Sequence, residues 1–285
     1  MRGIRDNMAD IKEKIKGNHF LYVLLHSVWI AMHRIPVKFQ GNLRSHGIGL
    51  NDNYRRLASY KNIHKGERCF IVANGPSLTA EDLDMIKDEY SIGCNKIYYV
   101  FNKTQWRPTY YCILDIDYVR RYQDEIFANI EMPVFTNNQV EKHIKANNKK
   151  GKTIIYSQQI YYNNFVAWPD LLRYTYGTKQ GTIMSYVMAV AIYMGFSEIY
   201  ILGMDNNSTI AGNHFSGYKE DKLLEKNLER RMKENGWDAN HWKNQTDVEM
   251  GEFKKYADIN NIRIYNATRG GKLEVFPRKS LNECI

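Results

Sequence analysis

Residues 68–83 read RCFIVANGPSLTAEDL and join an apolar run directly to a turn and then to an acidic segment. The run from Cys69 to Ala73 is typical of a buried strand, and the segment that follows Ser77 or Thr79 is typical of a helix start. Gly75 lets the backbone turn tightly between the two elements. A strand that passes through a glycine turn into a helix is a common phosphate-binding arrangement, because the first N–H groups of the helix point at the ligand.

The alternation of strands and helices continues to the end of the chain. Strands are predicted at YSIGCN (90–95), TYYCILDID (109–117), MPVFTNN (132–138) and EIYILGMD (198–205). Helices are predicted at 118–130, 181–195, 219–235 and 247–260. Short apolar strands between helices indicate a mostly parallel sheet with helices on both faces. We therefore predict a Rossmann-like α/β domain over residues 65–285, preceded by a helical arm over residues 1–64.

The N-terminal arm is basic and contains one apolar segment. Residues 1–50 hold eight Lys and Arg against three Asp and Glu. Within them, FLYVLLHSVWIAM (20–32) is apolar apart from His26 and Ser27, yet crossing a bilayer takes roughly 20 such residues. Two interpretations remain open. The segment lies in a membrane interface, with Tyr22 and Trp29 at headgroup depth and basic residues against anionic lipid, or it packs on the main domain or on a second copy in a homo-oligomer.

Composition narrows the class of partner and the compartment. A formal charge of +9 over 285 residues favours an anionic partner such as a nucleotide or a lipid surface. Nucleic acid is not expected, because the chain has no zinc-finger spacing and no basic helix with interleaved aromatics. The four cysteines show no CxxC pairing and are typical of small buried side chains under reducing conditions. The charged N-terminus has no small-residue cleavage site after an apolar core, so we expect a cytoplasmic protein.

Polar residues stand where the predicted strands end. Parallel sheets bind ligands at the carboxyl ends of their strands, so we expect these residues to meet at the rim of one cleft. They are Asn74, Asn95, Asp115 and Asp205, joined by Gly181 and Thr182 at the start of the long apolar helix. Gly181 and Thr182 repeat the phosphate-binding arrangement predicted after the first strand. The patterns GxGxxG and GxxxxGK[ST] are missing, which argues against NAD and against a P-loop triphosphate.

Four segments carry a resemblance to known families: VANGPSL (72–78), GCNKIYY (93–99), residues 181–205, and residues 244–266. They resemble segments of the bacterial CMP-sialic-acid-dependent sialyltransferases of lipooligosaccharide synthesis. With GMD…HF and the ending YNATRGGKLEVF, the chain is still more similar to a related broad family. That family includes archaeal 6-hydroxymethylpterin diphosphokinases and parts of flagellin-glycosylating proteins. The resemblance spans about residues 66–278.

The sialyltransferase resemblance implies a glycosyltransferase with a Rossmann-like fold, no metal ligands and no required cofactor. Its donor would be a nucleotide-activated sugar, with a CMP-sugar favoured, and its acceptor a surface glycan or a lipid-linked glycan. The residues implied in contacts with the nucleotide phosphate and ribose are Asn74, Gly75, Ser77 and Asn95. Thr182 would lie by the base and Asp205 by the ribose, while Asp115 stands where the sialyltransferases have an Asn.

Two departures from the sialyltransferase pattern concern the departing phosphate. The sialyltransferases have an Arg before the long helix, and this chain has no Arg there, near Gln180. They also have tyrosines after the GMD strand, where this chain has Asn207 and Asn213. In that family these side chains stabilise the phosphate, so their loss puts a CMP-sialic acid donor in doubt. Lys179 and Arg173 are the candidates for the missing charge.

A general base is expected to be a histidine, since transfer to a sugar hydroxyl needs a group that titrates near neutral pH. His241 lies beside the position where the sialyltransferases keep their basic His, allowing for a gap of one residue. His214 follows the GMD strand in a loop rich in Gly and Asn. We predict His241 as the base and His214 as a contact to substrate or phosphate.

Two alternatives belong to other classes of function. An ATP-dependent diphosphokinase, similar to the pterin enzymes, would need Mg²⁺ held by Asp115 and Asp117 of the sequence DID. A non-catalytic nucleotide- or glycan-binding module would bind its ligand without any need for His241 or His214.

Overall fold

The computed structural model describes residues 19–161, 167, 169–177, 182–207, 214–217 and 222–285. Packing divides the chain into two units, Met1–Gly49 and Leu50–Ile285. The larger unit therefore includes residues 50–64, which the sequence assigned to the arm. Two contacts explain this: Leu57 is fully buried in a core cluster, and Asn53 exchanges hydrogen bonds with the backbone of Tyr156.

The larger unit is built on a parallel sheet of seven strands: β1 (Arg68–Val72), β2 (Ser91–Cys94), β3 (Tyr110–Cys112), β4 (Val134–Asn137), β5 (Ile154–Ser157), β8 (Glu198–Leu202) and β9 (Arg263–Asn266). Their order across the sheet is β5-β4-β3-β2-β1-β8-β9. A separate parallel pair joins β6 (Gln159–Tyr161) and β7 (Thr175–Gly177). The strand order runs one way from β1 to β5 and the other way to β8 and β9, so the direction switches at β1.

Helices cover both faces of the sheet, as the α/β pattern predicts. They are α2 (Asp52–Ser59), α3 (Ala80–Met85), α4 (Ile116–Asn129), α5 (Asn138–Glu141), α6 (Ala146–Lys149), α7 (Ile183–Tyr193), α8 (Lys222–Asn235) and α9 (Ala239–Ile259). A 3₁₀ helix, Asn95–Val100, follows β2 directly. Helix α9 begins eight residues before the predicted start at Asp247, because the Asp238 side chain caps it by accepting the His241 N–H.

Alternate residues of the strands feed two separate core clusters. On one face, Cys69 and Ile71 of β1 pack with the largely buried helix α7. On the other face, Phe70 and Val72 pack with Leu83 of α3. Apolar residues on both sides of each strand explain why the strands read as continuous apolar runs. The Rossmann-like α/β fold is thus confirmed.

The smaller unit is represented by helix α1, His19–Ser45. The helix contains Pro36 and has no acidic residue in its first turn. The side chains of Tyr22 and Trp29, which the sequence predicts at a membrane interface, lie outside the described part. No helix in the described ranges has both the length and the apolar character needed to span a membrane.

Candidate nucleotide-binding site

A cavity of about 230 Å³ lies at the switch in strand direction. Its walls come from the ends of β1, β2 and β8 and from the start of α7. This is the position where open parallel sheets bind their ligands. Six of the lining residues were expected from the sequence as site residues: Asn74, Gly75, Asn95, Thr182, Asp205 and His214.

Gly75 is required by the close approach of the loop after β1 to the loop after β8. Its N–H donates to the Gly203 carbonyl at 2.7 Å. A Cβ at this position would lie 2.0 Å from Asp205 Oδ2 and 2.3 Å from the Gly203 oxygen. Both distances are far inside van der Waals contact, so no larger residue fits here without moving Asp205.

Asp205 is buried, and its carboxylate is tied to the loop after β1. Ser77 donates to Asp205 Oδ2 from its hydroxyl at 2.8 Å and from its N–H at 3.3 Å. The backbone carbonyl of Asp205 accepts the Lys272 N–H at 2.7 Å. Ser77 therefore acts on the cavity through Asp205, and it is not among the lining residues.

The start of α3 does not line the cavity, and two of its N–H groups are bonded within the protein, contrary to the phosphate-binding interpretation of residues 68–83. Thr79 caps the helix in a reciprocal capping box: its hydroxyl accepts the Asp82 N–H at 3.2 Å, and the Asp82 carboxylate accepts the Thr79 N–H at 3.0 Å. The Leu78 N–H donates to the Gly75 carbonyl. Glu81 and Asp82 also place negative charge in the first turn, where it competes with an anion.

The start of α7 has the opposite character. Thr182, Ile183 and Met184 all line the cavity, and the first turn carries no acidic residue. Thr182 is the N-cap and accepts the Met184 N–H at 3.3 Å. The positive end of the helix dipole therefore opens on the cavity, which suits a phosphate group.

Two residues that line the cavity, Asn74 and Asn95, each carry a buried amide oxygen Oδ1 that has no hydrogen-bond partner among the described residues. The Asn74 amide nitrogen donates to the Cys94 carbonyl at 3.1 Å, which fixes the orientation of the group. Asn95 holds a left-handed backbone with φ of 50°. Buried acceptors are rarely left without a donor. A ligand that donates hydrogen bonds would satisfy both of them.

Two hydrogen bonds hold the segment 214–217, which carries His214, in place at the cavity. The Phe215 N–H donates to the Asn74 carbonyl at 3.0 Å, and Lys103 Nζ donates to the Ser216 carbonyl at 3.0 Å. These contacts hold the segment 214–217 against the end of β1, with His214 lining the cavity. His214 is thus brought to the same site as Asn74, although 140 positions separate them in the sequence.

His241 and Asp115 are placed elsewhere. The His241 ring stacks on Trp237, with centroids 5.0 Å apart, and does not line the cavity. Asp115 is the N-cap of α4, where its carboxylate accepts the Tyr118 N–H at 2.9 Å. Neither side chain belongs to the described lining: the His241 ring packs on Trp237, and the Asp115 carboxylate caps α4.

Several other expectations concern metal binding and positive charge. Asp117 is half-exposed and lies 4.0 Å from Arg120, so it does not pair with the capping Asp115 to hold a cation. Within the described ranges, no three His, Cys, Asp or Glu side chains group as metal ligands. Arg173 is not among the lining residues. Gly181, Lys179, Gln180 and Asn213 lie outside the described residues.

Some lining residues were not expected from the sequence. Asn206, with φ of 51°, donates from its side chain to Asp247 Oδ1 at 2.8 Å, and Asp247 Oδ2 accepts Lys243 Nζ at 2.5 Å. Thr246 of the same helix also lines the cavity. The segment NQTD (244–247) belongs to a stretch that resembles the sialyltransferases. Only the structure shows that this segment contacts the loop after β8.

Cys94 lines the cavity as a neutral thiol. Burial raises the pKa of the Cys94 thiol to about 12, and the hydrogen bond from Asn74 lowers it in part. A thiol with this pKa is protonated near neutral pH and is a poor nucleophile. Cys94 therefore contributes apolar surface, which agrees with the sequence-based interpretation of the cysteines.

The family model of the 6-hydroxymethylpterin diphosphokinase MptE-like proteins matches residues 48–210, more than half of the chain. The chain belongs to the MptE-like family. The match covers β1 to β8 and reaches the lining residues of the β8 loop, and it confirms the resemblance drawn from the sequence.

The MptE-like chain is also similar to solved structures of sialyltransferases from Campylobacter jejuni. One is CstII in complex with the substrate analogue cytidine-5'-monophosphate, at 17 % identity and a TM-score of 0.44, covering 75 % of this chain and 85 % of that chain. Another is the monofunctional alpha-2,3-sialyltransferase Cst-I, at 14 % identity and a TM-score of 0.45, covering 76 % and 81 %. None of the curated proteins compared with the chain matches it.

Proposed function

We propose that this protein is a glycosyltransferase that binds a nucleotide-activated sugar at the end of β1 and transfers the sugar to a hydroxyl acceptor. A CMP-linked sugar is the favoured donor, because VANGPSL, GCNKIYY and the long helix with GMD resemble the motifs of the CMP-sialic-acid-dependent enzymes. The acceptor is a surface glycan or a lipid-linked glycan. No metal or other cofactor is required.

One observation carries the proposal: two residues whose buried amide oxygens have no donor among the described residues line the same cavity as the start of α7. A nucleotide offers both complements. Its ribose hydroxyls or its base amino group donate hydrogen bonds to Asn74 and Asn95, and its phosphate meets the positive end of the α7 dipole. The described lining contains no Lys or Arg, so the helix end and Thr182 are the phosphate-binding groups proposed.

The reaction is a displacement at the anomeric carbon. The acceptor oxygen forms a bond to that carbon, and the bond from the carbon to the donor phosphate oxygen breaks, with the electron pair leaving on the phosphate. The start of α7 stabilises the negative charge that develops there. The acceptor proton passes to a histidine. We propose His214 for this role because it lines the cavity, while the predicted base His241 remains the alternative.

A nucleotide panel tests the binding step. The protein is mixed separately with CMP, CMP-sugars, UDP-sugars, GDP-sugars and ATP, each with and without EDTA, and thermal unfolding is followed. We expect stabilisation by the cytidine compounds that survives EDTA. A protein that is stabilised by none of them, or only by ATP in the absence of EDTA, would contradict the proposal.

Hydrolysis of the donor tests the base. We expect His214→Gln to slow release of the sugar roughly 100-fold without loss of nucleotide stabilisation, since positioned general bases contribute about 10²–10⁴-fold. His241→Gln is the matched control and is expected to retain activity. The opposite pattern assigns the base to His241, and full activity in both variants excludes a histidine base.

A second candidate is an ATP-dependent diphosphokinase, and membership of the MptE-like family favours it. Mg²⁺ would be the cation of that reaction. The pair Asp115 and Asp117 does not fit it, because Asp115 caps α4 and Asp117 faces Arg120. Among the described lining residues, the carboxylate is that of Asp205. ATP-dependent stabilisation that requires a divalent cation, together with release of AMP in the presence of a pterin alcohol, would establish this function instead.

A further inference from the structure

Helix α1 exposes a continuous row of apolar side chains. Leu24, Val28, Met32, Ile35 and Phe39 form this row, which we call the apolar stripe. The intervals of four, four, three and four residues put them on one face of a helix. Between 44 % and 63 % of each side chain is exposed, and the three toward the C-terminus exceed 60 %. An exposed apolar face of this length marks an interaction surface.

The charge around the stripe distinguishes between possible occupants. Residues 14–51 contain no Asp or Glu but five Lys and Arg. Lys38 is exposed next to Phe39 of the stripe, and Arg34, one turn before Lys38, is half-buried. A second copy laid against the stripe would bring two surfaces of the same sign together, which opposes association. An anionic lipid surface complements the same charge.

The geometry of the helix suits an interfacial position. No helix in the described ranges can span a membrane, and the five residues of the apolar stripe share one face of α1. A helix of this kind lies in the plane of the interface, with its apolar face among the acyl chains and its cations among the headgroups.

We propose that the apolar stripe of α1 docks the protein on an anionic membrane surface. The stripe enters the interface, and Lys38 and Arg34 face the lipid phosphates. This proposal goes beyond the reaction proposed above and does not depend on it, because the stripe lies in the unit Met1–Gly49 and the nucleotide cavity lies in the unit Leu50–Ile285.

Co-sedimentation with vesicles tests the docking. The full chain is mixed with vesicles of phosphatidylcholine alone and with vesicles that also contain phosphatidylglycerol. We expect sedimentation with the anionic vesicles that weakens as salt is added. The triple variant Met32→Gln, Ile35→Gln, Phe39→Gln is expected to bind about tenfold less, because it removes buried apolar area at the interface.

A matched variant controls for the loss of exposed apolar surface in general. Val248 and Ile259 of α9 are 57 % and 81 % exposed, and the double variant Val248→Gln, Ile259→Gln is expected to sediment like the wild type. Far-UV circular dichroism and thermal unfolding establish that both variants are folded. Equal sedimentation of the stripe variant and the wild type would overturn the proposal, as would failure of the wild type to bind anionic vesicles.

Analytical ultracentrifugation without lipid tests for the rival occupant. The membrane proposal is wrong if the wild type is an oligomer, the stripe variant is a monomer, and anionic vesicles do not bind the protein. In that case the stripe is an interface between two copies. A stripe variant with the same mass as the wild type, and with weakened vesicle binding, supports the membrane.

Discussion

The starts of α3 and α7 look alike in the sequence and differ in the structure. In the sequence, each follows a polar stretch that contains a glycine, and both were expected to bind phosphate; each has a small hydroxyl residue as its N-cap. At α3 the Thr79 and Asp82 N–H groups are bonded within a capping box, and two acidic residues occupy the first turn. At α7 the first turn has no acid, and residues 182–184 line the cavity.

The comparison teaches that a glycine turn before a helix is not by itself a phosphate site. The loop 74–79 uses its glycine to approach Asp205 and its serine to bind it, so this loop builds a wall of the cavity. The start of α7 provides the helix dipole. The loop 74–79 thus shapes the cavity, and the start of α7 offers the positive charge for a phosphate. Gly75→Ala and Thr182→Asp test these two roles, and two further substitutions test other walls of the cavity.

The largest effect is expected from Gly75→Ala. The new methyl group would overlap Asp205 Oδ2 and the Gly203 carbonyl, and we expect a loss of about 3 kcal/mol in the free energy of unfolding. Urea denaturation measures it. Gly251→Ala in α9 is the control, since no atom lies within 4 Å of its added methyl. Equal stability of the Gly75 variant and the wild type would show that the loops are not in close contact.

Asn95→Gly removes the amide oxygen that has no partner among the described residues, and glycine accepts the left-handed backbone at this position. We expect the nucleotide identified by the panel to bind roughly 10- to 30-fold more weakly, through loss of one buried hydrogen bond. Calorimetry measures the affinity. Asn261→Gly is the matched control, because Asn261 also has positive φ, at 55°, but is exposed at the end of α9. Unchanged affinity in the Asn95 variant would remove this residue from the site.

Thr182→Asp keeps a good N-cap at α7 and adds a negative charge where phosphate is proposed to bind. Repulsion is expected to weaken nucleotide binding about tenfold while thermal stability is retained. Asn51→Asp makes the same type of change at the N-cap of α2 and should leave the affinity unaltered. If both variants bind like the wild type, the α7 start does not contact phosphate.

The smallest effect is expected from Asp247→Asn. Asp247 accepts the Asn206 side chain and Lys243 Nζ, so weakening these bonds loosens one wall of the cavity and should cost about threefold in nucleotide affinity. Asp258→Asn disrupts a Lys–Asp pair with the same spacing on the same helix, at Lys254. That control should bind normally. A larger loss in the control than in Asp247→Asn would indicate a general effect on α9.

Local patterns in the sequence were sufficient for the architecture. Apolar runs bounded by turns predicted the strands, and their alternation with helices predicted a parallel sheet. A strand that is buried on both faces needs apolar side chains at every position, so the continuous apolar runs also predicted helices on both faces of the sheet. The same logic, that parallel strands end at one edge, predicted a meeting of five residues: Asn74, Asn95, Asp115, Thr182 and Asp205. Four of them line the cavity, and Asp115 does not. The extension of α9 to Ala239 was missed because a single capping residue, Asp238, sets its start.

The sequence alone therefore determined the fold class and the edge of the sheet that carries the site. Only the tertiary structure decided which polar groups at that edge are available to a ligand. Asp115, Ser77 and two N–H groups at the start of α3 are bonded within the protein, whereas the amide oxygens of Asn74 and Asn95 have no partner in the part of the chain that the structure describes. The physical reason is that a hydrogen-bonding group has few partners, and whether the protein already supplies them depends on distances between segments far apart in the chain.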